Sequence, residues 1–222
     1  MKLRVVFGLI YKYIGGEKMN SLIERYPVLK QCESEIEKAV ECIINTYSAG
    51  GKVLLCGNGG SASDCDHIVG ELMKGFMLYR HLSKADEKKF SDVLGENDLA
   101  ESLQYAVPAI SLPSQSAVLS AFSNDVNPDM VYAQLMYGYG TKADTAIGIS
   151  TSGNSKNVVN AMKAARVKGM ATIALCGNNR CKLDDICDLS IKVPETDTYK
   201  VQELHLPVYH YICASVEKRL FE

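Results

Sequence analysis

Two side chains of this 222-residue sequence have the chemistry of a proton-transfer pair. His67 and Glu71 are four residues apart, and on a helix that spacing places them on one face. A carboxylate can remove a carbon-bound proton, and an imidazole can exchange protons at neutral pH. A polar helix face in contact with water is the competing interpretation, and it is the simpler one for the pair taken alone.

A glycine-rich turn lies shortly before this pair in the sequence. The apolar run Val53–Cys56 predicts a buried strand, Gly57-Asn-Gly-Gly-Ser61 predicts a turn, and a helix follows through Leu72. Free amides at a helix N-terminus favour an anion. The spacing matches neither Gly-x-Gly-x-x-Gly nor the lysine-bearing P-loop, so neither nucleotide pattern is supported. A tight left-handed connection without a ligand is the alternative.

A second turn repeats this arrangement. Ser150-Thr-Ser-Gly-Asn-Ser155 follows the predicted strand Thr145–Ile149 and precedes a predicted helix through Lys168. Its four hydroxyls at a helix N-terminus suit several phosphate oxygens at once. No Walker lysine or magnesium-binding aspartate accompanies the two turns, so we expect a phosphate to be held rather than transferred.

The remaining pattern predicts the elements that position these turns. Further strands are predicted at Val107–Leu112, Met170–Leu175 and Leu189–Val193, with helices between them and a last helix over Thr198–Leu220 that Pro207 kinks or starts. Alternating strands and helices predict a three-layer α/β/α fold with a five-stranded parallel sheet. The carboxyl ends of such strands form the ligand site, so both turns should meet in one pocket. Residues 20–48 predict an N-terminal helical hairpin that packs on its own domain or on a partner subunit.

Composition excludes several classes of function. The net charge is -2 with acids and bases mixed, so no basic surface for nucleic acid is expected. No apolar run approaches the length needed to span a membrane. The eight cysteines contain no Cys-x-x-Cys pair and lie in apolar runs or on predicted helices, which indicates reduced, buried thiols of a cytoplasmic protein.

Two segments admit more than one interpretation. Residues 1–18 are basic and apolar without a signal-peptide cleavage site, and they are either an extension upstream of a start at Met19 or a docked helix. Residues 77–106 are charged and loosely helical. A solvated surface excursion is the favoured interpretation for them, and a lid or an oligomer contact is the alternative.

Three motifs together resemble a known protein family. They are Cys56-Gly-Asn-Gly-Gly-Ser61, Ile149-Ser-Thr-Ser-Gly-Asn-Ser155 and Val201-Gln-Glu-Leu-His-Leu-Pro-Val-Tyr-His210, and the similarity runs from Asn20 to the end. The chain resembles the sugar isomerase (SIS) domain, and more narrowly the phosphoheptose isomerases. The resemblance implies a flavodoxin-like SIS fold in a single domain over residues 19–222. It also implies interconversion of sedoheptulose 7-phosphate and D-glycero-D-manno-heptose 7-phosphate without a nucleotide cofactor.

The resemblance further implies roles for individual residues. Glu71 matches the catalytic base, and His210 matches its acid/base partner. Positions that grip the phosphate or contact the sugar are matched by Asn58, Gly59, Ser61, Asp125, Ser150, Thr151, Ser152, Ser155 and Gln202. Some members of the family bind one divalent metal, usually zinc, through residues that match His67, Glu71, Gln202 and His210. A homotetramer with its sites at subunit interfaces is also implied.

The chain departs from the family pattern at three places. Residues 77–106 form an insertion, Lys74 stands where an arginine is usual, and Asp197-Thr-Tyr-Lys200 stands where an acid closer to Gln202 is expected. These departures concern the sugar more than the reaction, so an isomerase of another phosphosugar is one alternative.

A non-catalytic SIS module, a sugar-phosphate sensor or a protein-binding factor, is the other alternative. Such relatives keep the serine motif but lose the His-x-x-x-Glu pair, which this chain keeps, so the enzyme is favoured. His205 on the last helix is predicted to be a core or interface residue rather than a site residue.

Overall fold

The computed structural model describes Met19 and residues 21–222, so the predictions for residues 1–18 lie outside the described residues. A five-stranded sheet with the order β2-β1-β3-β4-β5 organises the chain, and all neighbouring strands are parallel. The strands are β1 (Val53–Gly57), β2 (Ala109–Ser111), β3 (Thr145–Ile149), β4 (Ala171–Cys176) and β5 (Leu189–Lys192). This is the flavodoxin-like order, whose ligand site lies where the order reverses, between β1 and β3.

The central strands are apolar on both sides because helices cover both faces of the sheet. Every residue of β1 and β3 is buried. Successive side chains of a strand point to opposite faces. Accordingly, Val53 and Leu55 belong to one apolar cluster, and Leu54 and Cys56 belong to the other. The predicted three-layer α/β/α architecture is therefore confirmed.

Helices form the two outer layers. They are α1 (Glu33–Ser48), α2 (Gly60–Met73), α3 (Lys84–Leu94), α4 (Asp98–Ser102), α5 (Ser116–Asp125), α6 (Val131–Tyr139), α7 (Lys156–Val167) and α8 (Thr198–Phe221). The buried faces of α1, α2 and α8 share one apolar cluster, and those of α6 and α7 share the other. The layer of α2 and α8 carries the residues of the predicted catalytic pair.

The predicted boundaries of the helices over residues 20–48 were wrong, whereas the predicted range of the last helix was confirmed. The helical residues 21–25 end before Pro27, and a 3-10 turn (Pro27–Cys32) leads into α1, so the predicted stripe residue Leu29 lies in that turn. A proline disfavours helical geometry in the residue before it, and Tyr26 is accordingly non-helical. In contrast, α8 runs from Thr198 through Pro207, which therefore does not mark a helix start. Tertiary packing outweighs the cost of about 3 kcal/mol for an internal proline, since α8 buries residues along its whole length.

The segment 77–106 contains α3 and α4, as its loosely helical pattern predicted. No residue of α3 is buried, which fits a solvated surface. However, Arg80 and Glu217 form a fully buried ion pair, with 2.8 Å between Nε and Oε1. Arg80 also donates hydrogen bonds to the carbonyls of Glu71 and Leu72, at the C-terminal end of α2.

The described residues also test the predictions from composition. All eight cysteines are free, six of them buried and two partly buried, as predicted. His205 is fully buried, which confirms that it is a core residue. Among the described helices, none is long and apolar enough to cross a membrane.

Candidate active site

The two polar turns lie side by side at the carboxyl edge of the sheet. β1 and β3 pair in register, with Gly57 opposite Ile149, so the turns that follow them begin next to each other. Gly57 has no room for a side chain, because a Cβ there would lie 2.7 Å from the Ser61 carbonyl oxygen. Tyr132 holds the Gly57 carbonyl with a hydrogen bond of 2.8 Å. Strand pairing therefore brings the two predicted turns together.

The serine-rich turn presents hydroxyls beside an uncapped helix N-terminus. The Oγ atoms of Ser150 and Ser155 lie 3.1 Å apart, and Ser152 Oγ accepts a hydrogen bond from the Asn154 amide at 3.2 Å. Ser155 is the N-cap of α7, yet its side chain makes no capping hydrogen bond. Thr151 is partly buried in the same turn. The amides of Lys156 and Asn157 are thus available to an anion, whereas the Val158 amide donates to Asn157 Oδ1 at 3.0 Å.

The glycine-rich turn faces the serine-rich turn across the switch point. Asn58 exchanges two side-chain hydrogen bonds with Asn157 of α7, at 2.8 and 2.9 Å. Gly59 has a φ of 54° and caps α2 without a side-chain hydrogen bond. Ser61 is buried in the first turn of α2. Two helix N-termini and two hydroxyl-bearing turns therefore converge, which is an arrangement suited to a phosphate.

Two other predicted sugar-contacting residues lie in different places. Gln202 of α8 lies against Gly60, where an added Cβ would meet its Nε2 at 2.5 Å, so its amide borders the glycine-rich turn. Asp125 is exposed at the end of α5, and its carboxylate accepts a hydrogen bond from Asn124 at 2.8 Å. No hydrogen bond joins Asp125 to either turn within the described part of one chain.

The predicted proton-transfer residues come together further along α2. His67 Nε2 lies 3.3 Å from Glu71 Oε1 and 3.4 Å from His210 Nε2. Glu71 is the more sheltered of the pair, with 14% of its side chain exposed against 42% for His67. Burial lowers the pKa of His210, and His67 lowers it further, whereas Glu71 opposes the shift. His210 is therefore a neutral imidazole at neutral pH, able both to give and to accept a proton.

Sequence reasoning missed the partners of His67. Its Nδ1 lies 3.0 Å from the hydroxyl of Tyr209, which donates a hydrogen bond to Asp64 Oδ1 at 3.2 Å. Asp64 precedes His67 by three residues on α2, so helical spacing could have indicated a polar neighbour. Tyr209 was missed because it lies in an apolar part of the α8 sequence.

Among the four predicted metal ligands, His67 lies at metal-site distances from two others, Glu71 and His210. Two ligand atoms of a tetrahedral zinc ion, with bonds of about 2.0–2.1 Å, lie about 3.3–3.4 Å apart. The separations of His67 Nε2 from Glu71 Oε1 (3.3 Å) and from His210 Nε2 (3.4 Å) agree with that value. Gln202 precedes His210 by eight residues, about 12 Å along one helix. The Gln202 amide lies against Gly60 at the glycine-rich turn, so in one chain it lies apart from the group of His67, Glu71 and His210.

Another group of potential metal ligands lies beneath the serine-rich turn. Ligand atoms of Cys176, Cys181 and Asp184 lie within 4.8 Å of one another. Burial raises the pKa of Cys176, so its thiol stays protonated. Asp184 already accepts hydrogen bonds from Lys192 Nζ at 2.8 Å and from the Cys181 amide at 2.9 Å. The group is thus explained by local structure.

The fold and the paired turns define a class of protein. The SIS domain family profile matches residues 16–88 and 96–177, which is more than half of the chain. The chain belongs to the SIS domain family.

Relatives within the family narrow this assignment. A phosphoheptose isomerase of Roseiflexus sp. is 39% identical over 82% of this chain and 80% of its own length. Another, of Clostridium acetobutylicum, is 35% identical over 94% of this chain and 95% of its own length. These relatives assign the chain to the phosphoheptose isomerase branch of the family.

Solved structures agree with this assignment. A phosphoheptose isomerase of Neisseria gonorrhoeae superposes with a TM-score of 0.68 at 25% identity, over 98% of both chains. A phosphoheptose isomerase of Francisella tularensis superposes with a TM-score of 0.71 at 25% identity, over 91% of this chain and 97% of its own length.

Proposed function

We propose that this chain is an aldose–ketose isomerase that converts sedoheptulose 7-phosphate to D-glycero-D-manno-heptose 7-phosphate. The observation that carries the proposal is the convergence of His67, Glu71 and His210 in a member of the phosphoheptose isomerase branch. A non-catalytic module has no need of a sheltered carboxylate beside one imidazole that in turn contacts a second. The enzyme is therefore favoured over the sensor or binding factor.

The reaction moves a carbonyl from C2 to C1 of the open-chain sugar. Glu71 removes the proton from C1, and the electron pair forms an enediol between C1 and C2. His210 moves a proton between the two oxygens, and Glu71 returns its proton to C2, so atoms and charge balance. General acid–base catalysis of this kind contributes about 10²- to 10⁴-fold in rate. The lowered pKa of His210 keeps its imidazole neutral for this transfer at neutral pH.

The two turns are proposed to hold the substrate by its phosphate. Hydroxyls of Ser61, Ser150, Thr151, Ser152 and Ser155, with the amides of α2 and α7, are the proposed donors. Asn58, Gly59 and Gln202 are proposed to contact the sugar next to the phosphate, and the position of Gln202 beside Gly60 supports this. The contact of Asp125 with the sugar stays a prediction, since among the described residues of one chain Asp125 is not hydrogen-bonded to these turns.

Distances along α2 support a site shared between subunits. Ten residues separate Ser61 from Glu71, about 15 Å along the helix axis. An extended seven-carbon sugar spans about 10 Å from C1 to phosphorus, which is eight bonds at about 1.2 Å each. The separation along α2 is larger than the substrate itself, which favours a base from a second copy over the chain's own Glu71. We propose a homo-oligomer, in keeping with the predicted tetramer, in which a second copy supplies His67, Glu71 and His210.

A divalent metal fits the proposed chemistry of this site. His67, Glu71 and His210 would hold it, and bound zinc would polarise the carbonyl as a Lewis acid. Catalytic zinc sites commonly have three protein ligands and one open position. As a fourth ligand, Gln202 would come from a second subunit, because in its own chain its amide lies against Gly60, at the opposite end of α2 from Glu71.

The test is an isomerase assay with sedoheptulose 7-phosphate, with added zinc and after chelation. Glu71→Gln should lower kcat at least 100-fold while the circular dichroism spectrum is unchanged. The exposed Glu96→Gln makes the same chemical change away from the site and should retain wild-type turnover. Normal turnover by Glu71→Gln would refute the assignment of the base. Turnover only with a shorter phosphosugar would refute the proposal that the substrate is a heptose phosphate. No turnover with any phosphosugar would refute the proposal that the chain is an isomerase.

A further inference from the structure

We propose that Tyr209, held by Asp64, is a positioning residue that fixes His67 in its Nδ1–H form, so that His67 Nε2 presents a lone pair to Glu71 and His210. The inference rests on the proposed function for its role in catalysis. Its geometry is independent of the substrate. Neither residue is among the site residues that the sequence motifs indicate.

The three side chains form a chain of hydrogen bonds between α2 and α8. Tyr209 has only 2% of its surface exposed, and its hydroxyl lies between His67 Nδ1 at 3.0 Å and Asp64 Oδ1 at 3.2 Å. The ring of His67 also packs edge-on against Tyr209, with 5.4 Å between centroids. The other carboxylate oxygen of Asp64, Oδ2, is buried without a hydrogen-bond partner among the described residues. Tyr209 is therefore the donor on which the Asp64 carboxylate depends.

The direction of each hydrogen bond follows from the number of protons. A carboxylate only accepts, and a tyrosine hydroxyl has a single proton to donate. Tyr209 gives that proton to Asp64, so its oxygen can only accept from His67. His67 must then carry its proton on Nδ1, which leaves a lone pair on Nε2. A neutral imidazole has only these two forms, and its hydrogen bonds decide between them.

This tautomer makes the site attractive to a positive centre. His67 Nε2 and Glu71 Oε1 lie 3.3 Å apart, and in this form both are acceptors. Two lone pairs at this distance repel each other unless a proton or a metal ion lies between or beside them. His210 Nε2, at 3.4 Å from His67 Nε2, completes the group. Outer partners of this kind, which fix the tautomer of a metal-binding histidine, typically change metal affinity 10- to 100-fold.

The experiment measures the tautomer directly. Long-range ¹H–¹⁵N NMR on labelled, metal-free protein reports which ring nitrogen carries the proton in each of the four histidines. We expect Nδ1–H for His67 in the wild type. Tyr209→Phe should give a mixture of tautomers, and Asp64→Ala should shift His67 to Nε2–H, because the freed tyrosine proton can then be donated to Nδ1. Zinc affinity, measured by chelator competition, should fall 10- to 100-fold in both variants.

Tyr211→Phe is the matched control. Tyr211 is also on α8, and its hydroxyl donates a hydrogen bond to the carboxylate of Glu37 on α1. It should leave the tautomer and the zinc affinity unchanged. An unchanged Nδ1–H signal and zinc affinity within twofold in Tyr209→Phe would overturn the inference. A wild-type protein without isomerase activity would instead overturn the proposed function. It would leave this inference intact, because the NMR and zinc measurements need no substrate.

Discussion

Mixing two inactive variants of this chain should restore activity if each site is shared between two subunits. Glu71→Gln removes the base but keeps the phosphate turns. Ser152→Asp keeps the base but places a negative charge beside the phosphate. The new carboxylate can still accept the hydrogen bond that Ser152 Oγ accepts from the Asn154 amide, so the turn should persist.

The expected magnitudes follow from the geometry. Two unit charges about 4 Å apart at an effective dielectric constant of about 20 repel by about 4 kcal/mol, which weakens phosphate binding about 1,000-fold. Each variant alone should therefore keep less than about 1% of wild-type kcat/KM. In an equal random mixture, a site is intact when its turns come from a Glu71→Gln subunit and its base from a Ser152→Asp subunit. That combination occurs in about one site in four.

The assay compares co-expressed variants carrying different affinity tags, so that only mixed oligomers are purified. A matched mixture of Ser152→Asp with Glu96→Gln should reach about half of wild-type activity, since every base is then intact and half of the phosphate turns are. Mixed oligomers of Glu71→Gln and Ser152→Asp that stay at the level of the single variants would refute the shared site. The comparison of about 15 Å along α2 with about 10 Å of substrate would then be wrong.

Two further predictions concern stability. Glu217→Ala should lower the free energy of unfolding by about 3–5 kcal/mol, measured by urea denaturation, because it leaves Arg80 charged and buried; a loss below 1 kcal/mol would contradict this account. Burial lowers the pKa of His205 to about 4, below its value of about 6.5 in the unfolded chain. The unfolded chain therefore binds a proton at His205 more readily than the folded chain does. The contribution of His205 to the free energy of unfolding is complete above pH 6.5 and should fall by up to about 3 kcal/mol as the pH approaches 4. His205→Leu should remove that part of the pH dependence, and an unchanged profile would exclude His205 as its source.

Much of the fold was predictable because its signals are local. Apolar runs such as Val53–Cys56, followed by glycine-rich or serine-rich turns, mark parallel strands and helix N-termini without knowledge of the rest of the chain. The predicted pocket followed from strand direction alone.

Contacts between distant residues were not predictable in this way. Arg80 lies in a charged stretch that indicates a solvated surface, yet it is buried against Glu217, 137 residues away. Asp64 and Tyr209 are 145 residues apart and meet only because α2 and α8 pack together. A single sequence records the side chains of such pairs but not their pairing.

The two ends of the segment 77–106 are joined to each other by hydrogen bonds where it connects to the rest of the domain. The Tyr105 amide donates to the Arg80 carbonyl at 2.9 Å, and the Gly75 amide donates to the Gln104 side chain at 3.0 Å. The ends of the segment are thus already fastened, and the entropy of closing a loop rises only slowly with its length. Residues 82–103 are therefore a natural graft point, at which an exchanged, shortened or extended sequence could give the same catalyst a new outer surface without reopening its core.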